Sequence, residues 1–142
     1  MKVKRAAHCT YRIRYHMVFV MKYRRNLISR EIFEFMKIVC DGISQRYYLH
    51  FDALGSDGDH LHLVVEGAPR YSPSTIMQIC KSILGKLTFR QFPELREELW
   101  GGEFWSDGGH IDTVGDGRGL DEVMKYVKNQ GGDSNQLMLS EF

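Results

Sequence analysis

Two short patterns in this chain gather side chains able to do chemistry. Residues 59–67 read DHLHLVVEG, with His60 and His62 either side of Leu61. In a strand, residues two apart point the same way, so the two imidazoles share a face with Val64 while Leu61, Leu63 and Val65 cover the other. Two imidazoles side by side on a rigid strand can chelate a metal or clamp an anion. Two partly buried histidines bonded to backbone would look the same in sequence. With six histidines in 142 residues, about 0.2 such pairs arise by chance, so the pair alone is not diagnostic. The second pattern, VMKYVKNQ, sets Tyr126 and Gln130 four apart, hence neighbours on one helix face. A tyrosine hydroxyl beside an amide whose carbonyl oxygen can face a cation contrasts with the plainer reading, a tyrosine packed at a helix edge.

The elements that must position these groups are legible from periodicity. Residues 10–22 have strand composition. Residues 29–48 repeat apolar side chains at helical spacing (Ile32, Phe35, Met36, Val39, Ile43), with Ser29 as N-cap. Two strands follow, HFDALGSDGD and HLHLVVEG, joined by turn chemistry at residues 56–59. A second helix starts at Pro73 and Ser74 and runs to about residue 91, with Ile76, Ile79, Cys80, Ile83, Leu84 and Leu87 at spacings of three and four. A short helical piece spans residues 93–99. FWSDGGHIDTV then reads as a fourth strand with an irregular start, and residues 120–130 as a final short helix. The order is βαββαβ, the ferredoxin-like pattern, with a four-stranded antiparallel sheet and helices on one face. The paired histidines fall on the third strand, central in such sheets, and the other face is open to a ligand. The fold hosts RNA-binding modules, metallochaperones and nucleases, so it does not choose among them.

Composition bounds the answer. The chain has the length of a single domain, 1–142, and 43% hydrophobic with 26% charged residues is ordinary for a soluble globule. No stretch has the apolar length of a membrane span, and the first residues lack a signal peptide's apolar segment. Cys9, Cys40 and Cys80 are odd in number and widely spaced, which argues against a disulfide framework or thiolate zinc site and for a reducing cytoplasm. Net charge is only +1, yet residues 1–25 hold eight basic residues and no acid. The remainder has 11 basic residues against 18 acidic ones, a net −7. Such asymmetry, a basic arm at 1–9 followed by a basic strand, points to a polyanion. Arg12, Arg14, Lys22, Tyr23, Arg24 and Arg25 are the candidate nucleic-acid-binding residues. Tyr11, Tyr15, Phe19 and Tyr23 would share one face of a continuous strand, which suits base stacking as well as core packing.

Taken in order, YHMVFVMKYRR, DHLHLVVEG, LWGGEFWSDGGHIDTVG and VMKYVKNQ resemble the single-tyrosine HUH transposases (TnpA-type) of the smallest bacterial and archaeal insertion sequences. The resemblance covers roughly residues 15–130. It implies that His60, His62 and Gln130 ligate a divalent metal, Mg²⁺ or Mn²⁺, and that Tyr126 is the nucleophile. It further implies single-stranded DNA as substrate, with hairpins at the element ends. The expected intermediate is a 5′-phosphotyrosine, and the expected assembly a homodimer whose active sites are shared between protomers. The chain departs from the pattern at His110, where members often have an aromatic residue, a position expected to lie away from the chemistry. Asp59 and Glu122 are the sequence candidates for general base. Two other readings stay open: a domesticated relative acting on chromosomal repeat hairpins, and a non-catalytic ferredoxin-like RNA-binding module. Glycines 115, 117, 119, 131 and 132 flank the tyrosine helix and predict a hinge that carries an attached strand between cutting and joining.

Overall fold

Ser29 and Ser72 begin the two long helices by the same device. Each side-chain oxygen accepts from the backbone N–H three residues on, Ile32 at 3.2 Å and Thr75 at 3.1 Å, which pairs a donor that the helix itself leaves unsatisfied. The computed structural model describes residues 3–115 and 118–129. Its main sheet has four strands, β3 (Arg14–Val20), β4 (His50–Ser56), β5 (His60–Glu66) and β6 (His110–Thr113). They lie in the order β4-β5-β3-β6, every neighbouring pair antiparallel. Helices α1 (Arg30–Arg46) and α2 (Pro73–Gln91) interleave with these strands as a ferredoxin-like chain requires, and a short α3 (Leu95–Glu98) follows α2. A separate two-stranded ribbon, β1 (Lys4–Arg5) with β2 (Thr10–Tyr11), occupies the basic N-terminal segment.

The core lies between one sheet face and α1 and α2. Tyr15, Met17 and Phe19 of β3 and Leu61, Leu63 and Val65 of β5 enter it, against Ile32, Phe33, Met36, Val39, Cys40 and Ile43 of α1 and Ile76, Cys80 and Leu84 of α2. Strict alternation fails on β4, where Phe51 and Leu54, three apart, both face the core. A bulge between Phe51 and Ala53 shifts the register and turns Ala53 to the opposite face.

That opposite face is not wholly open. Helix α4 (Arg118–Lys128) lies across it, with Val127 fully buried on Ala53 and Val64 and with Val123 and Met124 beside them. The helix runs two residues earlier at each end than its apolar spacing predicts, within the usual uncertainty of helix ends. Gln130, Gly117, Gly131 and Gly132, which carried the third-ligand and hinge expectations, lie outside the described residues.

The continuous first strand expected over residues 10–22 is divided. Tyr11 belongs to β2, Tyr15 and Phe19 are core residues, and Tyr23 lies in a 3₁₀ turn, Lys22–Arg24. Those four aromatics therefore form no common stacking face.

Candidate active site

β5 pairs with β3 so that Val18 lies opposite His62 and Val20 opposite His60. His16 is the diagonal neighbour of His62 on the same face, and the register puts the two rings nearly parallel, centres 5.7 Å apart. His60 and His62 stack in the same sense at 6.1 Å. β6 completes the row: His110, paired with Val18, sits edge-on to His16 at 6.3 Å. His110, expected to stand apart from the chemistry, thus borders the histidine row. His16 and His110 were not singled out as site residues. Their face was readable, since Tyr15, Met17 and Phe19 between and beside them face the core, but the register that joins three strands was not.

The ring nitrogens show what the row can do. Nδ1 of His62 lies 3.4 Å from Nε2 of His16, and Nδ1 of His60 contacts the carboxylate of Asp59, with Asp57 at 3.3 Å. Both imidazoles engage Nδ1 with the protein, which leaves Nε2 of each ring available as a ligand atom, an arrangement that orienting partners of metal-bound histidines share. Burial, then the neighbouring His16 and His60, push the pKa of His62 down to about 4. Burial also lowers that of His16, against the opposing pull of Asp112. Both rings are therefore neutral at pH 7, the form that binds a metal. The neutral His62 imidazole and, with ring centres 6.1 Å apart, His60 in its cluster with Asp57 and Asp59, whose ligand atoms lie within 4.8 Å of one another, make a nitrogen and oxygen donor set that fits a divalent cation.

A tight turn holds His60 in place. Its backbone N–H donates to Asp57 Oδ1 at 3.0 Å, and Gly58 N–H donates to Ser56 Oγ at 3.1 Å. Gly58 adopts φ +99°, and a Cβ there would meet Asn26 Oδ1 at 1.8 Å, so no other residue fits without rearrangement. Asn26 closes in because Ile28 N–H donates to the Gly58 carbonyl at 2.9 Å.

Tyr126 arrives from α4. Its ring is edge-on to both His62, at 5.7 Å, and His16, at 6.0 Å, and the residue is 54% exposed. Docking Val127 on Ala53 and Val64 is what brings Tyr126 over the histidines, because adjacent helix residues diverge by about 100° around the axis. Of the two general-base candidates, Asp59 is engaged by His60, and Glu122 lies one turn before Tyr126 on α4.

The second group with metal-ligand spacing, His50, Asp52 and Glu66, lies at the far end of the same face. Arg14 already supplies a cation there, 2.9 Å from Asp52 and 4.0 Å from Glu66, with Lys4 at 3.4 Å from Glu66. Arg14, expected at the DNA surface, is engaged here instead. Its side chain is 3% exposed and sits in an internal ion-pair network. Arg12 and Arg24 are exposed; Lys22 pairs with Glu103 at 2.7 Å, Arg25 with Glu98, and Arg24 reaches Asp59 at 4.0 Å. A groove of about 590 Å³ between α2 and the 102–107 segment, lined by Lys81, Phe89 and Trp105 among others, is on the helix side of the molecule, away from the histidine row.

The sequence profile described as "Transposase IS200 like" matches residues 9–130, a span that includes the histidine strand and the tyrosine helix. The chain belongs to the IS200-like transposase family. Among its relatives, the ISDra2 transposase TnpA of Deinococcus radiodurans is 25% identical over 130 residues, covering 92% of each chain. The transposase for insertion sequence element IS200 of Salmonella typhimurium is 29% identical over 131 residues, covering 89% of this chain and 82% of the relative. The fold agrees with a crystal structure of a Deinococcus radiodurans protein assigned as a transposase, with a TM-score of 0.72, 24% identity, and coverage of 92% of this chain and 99% of that one. It agrees more loosely with a REP-associated tyrosine transposase bound to a REP hairpin, with a TM-score of 0.58, 9% identity, and coverage of 91% and 72%. An IS200-like transposase acts in DNA transposition and recombination. No helix among its described residues is long and apolar enough to cross a membrane.

Proposed function

We propose that this transposase cuts and rejoins single-stranded DNA at insertion-sequence ends, with Tyr126 as nucleophile. The observation that carries the reading is the half-exposed Tyr126 ring seated against His62 and His16, on the face where His60 and His62 present their free nitrogens. The Tyr126 Oη attacks the scissile phosphorus as the P–O3′ bond breaks. Tyr126 loses its proton to a base, and the leaving 3′ oxygen gains one to become a 3′-OH. The product is a 5′-phosphotyrosine that stores the phosphodiester bond, so attack by another 3′-OH restores Tyr126 and joins new ends without ATP.

His60 and His62 would hold the divalent metal, Mg²⁺ or Mn²⁺, with Gln130 as the proposed third ligand. A metal held there supplies charge stabilisation to the phosphate in the transition state. Asp59 and His16 keep the two imidazoles in the coordinating tautomer. Arg12, Lys22, Tyr23, Arg24 and Arg25 form the proposed DNA surface, and a hairpin, the ligand of the REP-associated relative, is the proposed DNA form. One tyrosine per protomer cuts one strand, so the two ends of an element require a homodimer.

The test is incubation of the protein with labelled single-stranded hairpins and Mn²⁺, followed by denaturing gels. A covalent adduct is expected with the wild type. Tyr126→Phe, which removes only the hydroxyl, should fold, bind the hairpin and lose the adduct by more than about a thousandfold. An adduct that survives in Tyr126→Phe would sink the assignment. Binding of RNA hairpins with no DNA adduct under any metal would favour the non-catalytic module.

A further inference from the structure

The 3₁₀ turn Lys22–Arg24 holds two consecutive non-glycine residues in the left-handed region, Tyr23 at φ 60° and Arg24 at φ 52°. Such backbone is costly and persists only where its surroundings hold it. Here Arg24 N–H donates to the Met21 carbonyl at 2.8 Å, Lys22 N–H to the Phe104 carbonyl at 2.9 Å, and the Arg25 guanidinium to the Glu98 carbonyl at 3.0 Å. The outcome is that the Tyr23 ring lies flat against Trp100, centres 5.4 Å apart and planes within 24°. The Tyr23 hydroxyl donates to the Trp100 carbonyl at 3.3 Å. Trp100 is nevertheless 71% exposed and Tyr23 48% exposed. An indole braced on one side and open to water on the other is a poor contribution to folding. It is a prepared surface for something flat.

Charge and position narrow what that is. The Lys22 ammonium stands 5.7 Å from the Tyr23 ring centre. The Arg24 side chain, 74% exposed, reaches within 4.0 Å of Asp59, the carboxylate that also contacts His60. One carboxylate thus links the aromatic stack to the histidine row. Flat rings flanked by cations match a strand of nucleic acid, whose bases stack while its phosphates meet Lys and Arg. Pairs inside a duplex have both faces covered by neighbours, so the exposed indole suits an unpaired base.

We propose that the Tyr23–Trp100 stack seats one unpaired base of the DNA strand, next to the phosphate held at His60 and His62. The site rests on the reading of the histidine face as the cleavage site. Its function would be to fix where the strand enters, so that one particular phosphate reaches Tyr126. Trp100 was not among the residues singled out in sequence, because the stack depends on a contact between residues 77 positions apart.

The probe is a fluorescein-labelled single-stranded oligonucleotide of about twelve nucleotides, and a set in which each base in turn is replaced by an abasic unit. Binding is measured by anisotropy in EDTA, where no cutting interferes. Trp100→Ala should weaken the intact oligonucleotide about tenfold, and Trp100→Phe should restore most of the loss. At one abasic position the wild type and Trp100→Ala should bind equally, because the base served by Trp100 is gone. Indole fluorescence should be quenched on binding in the wild type and not in Trp100→Phe, since the other tryptophan, Trp105, is buried. Unchanged affinity in Trp100→Ala, or a loss independent of every abasic position, overturns the proposal. So does conversion of a wild-type dimer to monomer by Trp100→Ala, which would make the stack a protein interface. If the stack fails while the Tyr126 adduct still forms, the cleavage reading stands. If quenching persists while no adduct forms, the cleavage reading falls and the base site stands.

Discussion

His62 carries the sharpest residue-scale consequences. In the unfolded chain it takes up a proton near pH 6.5, whereas in the fold it resists protonation to about 4. Its contribution to stability is therefore complete above pH 6.5 and is lost as pH falls through that window, because the unfolded state binds the extra proton. Urea midpoints measured in EDTA should drop between neutral pH and about pH 5, and His62→Gln should flatten part of that drop. A second consequence concerns His16. Its Nε2 faces His62 Nδ1, so His16→Ala should weaken Mn²⁺ binding, measured calorimetrically, by about 10–100-fold. His16→Gln, which keeps a polar partner near Nδ1, should recover part of it. Equal Mn²⁺ affinity in the wild type and His16→Ala would show that His62 needs no orienting partner.

At the scale of elements, α4 is a lightly attached part. Among its described residues Val127 alone is buried, with Val123 and Met124 packed beside it on Ala53 and Val64, against six buried residues in each of α1 and α2. Val127→Ala should remove about 2 kcal/mol of docking energy. Amide exchange in α4 should quicken sharply while the melting temperature of the domain shifts little. A uniform loss across the sheet would mean that α4 and the core unfold together. The turn before β5 is the opposite case. Gly58→Ala must displace Asn26 and hold an unfavourable φ, so it should lower stability and disorder His60 together. Gly119 has open space around the position of a Cβ, so Gly119→Ala should fold normally. If the glycines serve as a hinge, strand joining should fall more than first-strand cleavage. Equal rates for both steps would assign Gly119 to helix initiation only.

Over the whole molecule, charge is segregated. Eight basic residues in the first 25 face a remainder of net −7, and the structure divides the basic set further. Arg14 and Lys4 serve an internal network with Asp52 and Glu66, while Arg12 and Arg24 stay exposed. DNA affinity should fall steeply with salt, and Arg24→Ala should lower the slope of log K against log salt by about 0.7 for a single strand. Arg14→Met should leave that slope unchanged and instead destabilise the fold by about 1–3 kcal/mol, by removing the buried cation that Asp52 and Glu66 share. A reduced salt slope in Arg14→Met would return that residue to the DNA surface.

Periodicity alone determined the order of α1, β4, β5, α2 and α4 and most of the buried faces of α1, α2 and β5, because burial on one side imposes a repeat of 3.6 or 2 that the chain must carry. It also placed His60 and His62 on one face and, through Val123 and Val127, picked the side of α4 that docks. The family resemblance named Tyr126. What no local pattern contains is register. The pairing of β3 with β5 and β6 brings His16 and His110 to the row, and the bulge in β4 breaks its alternation. The left-handed turn at Tyr23 ends a strand that reads as continuous and delivers its aromatic to Trp100. Arg14 reads as an exposed cation and is an internal one for the same reason. Whether a side chain on the ligand-facing side meets solvent, a carboxylate or another ring depends on which strands and helices lie beside it. That is settled only when distant segments pack.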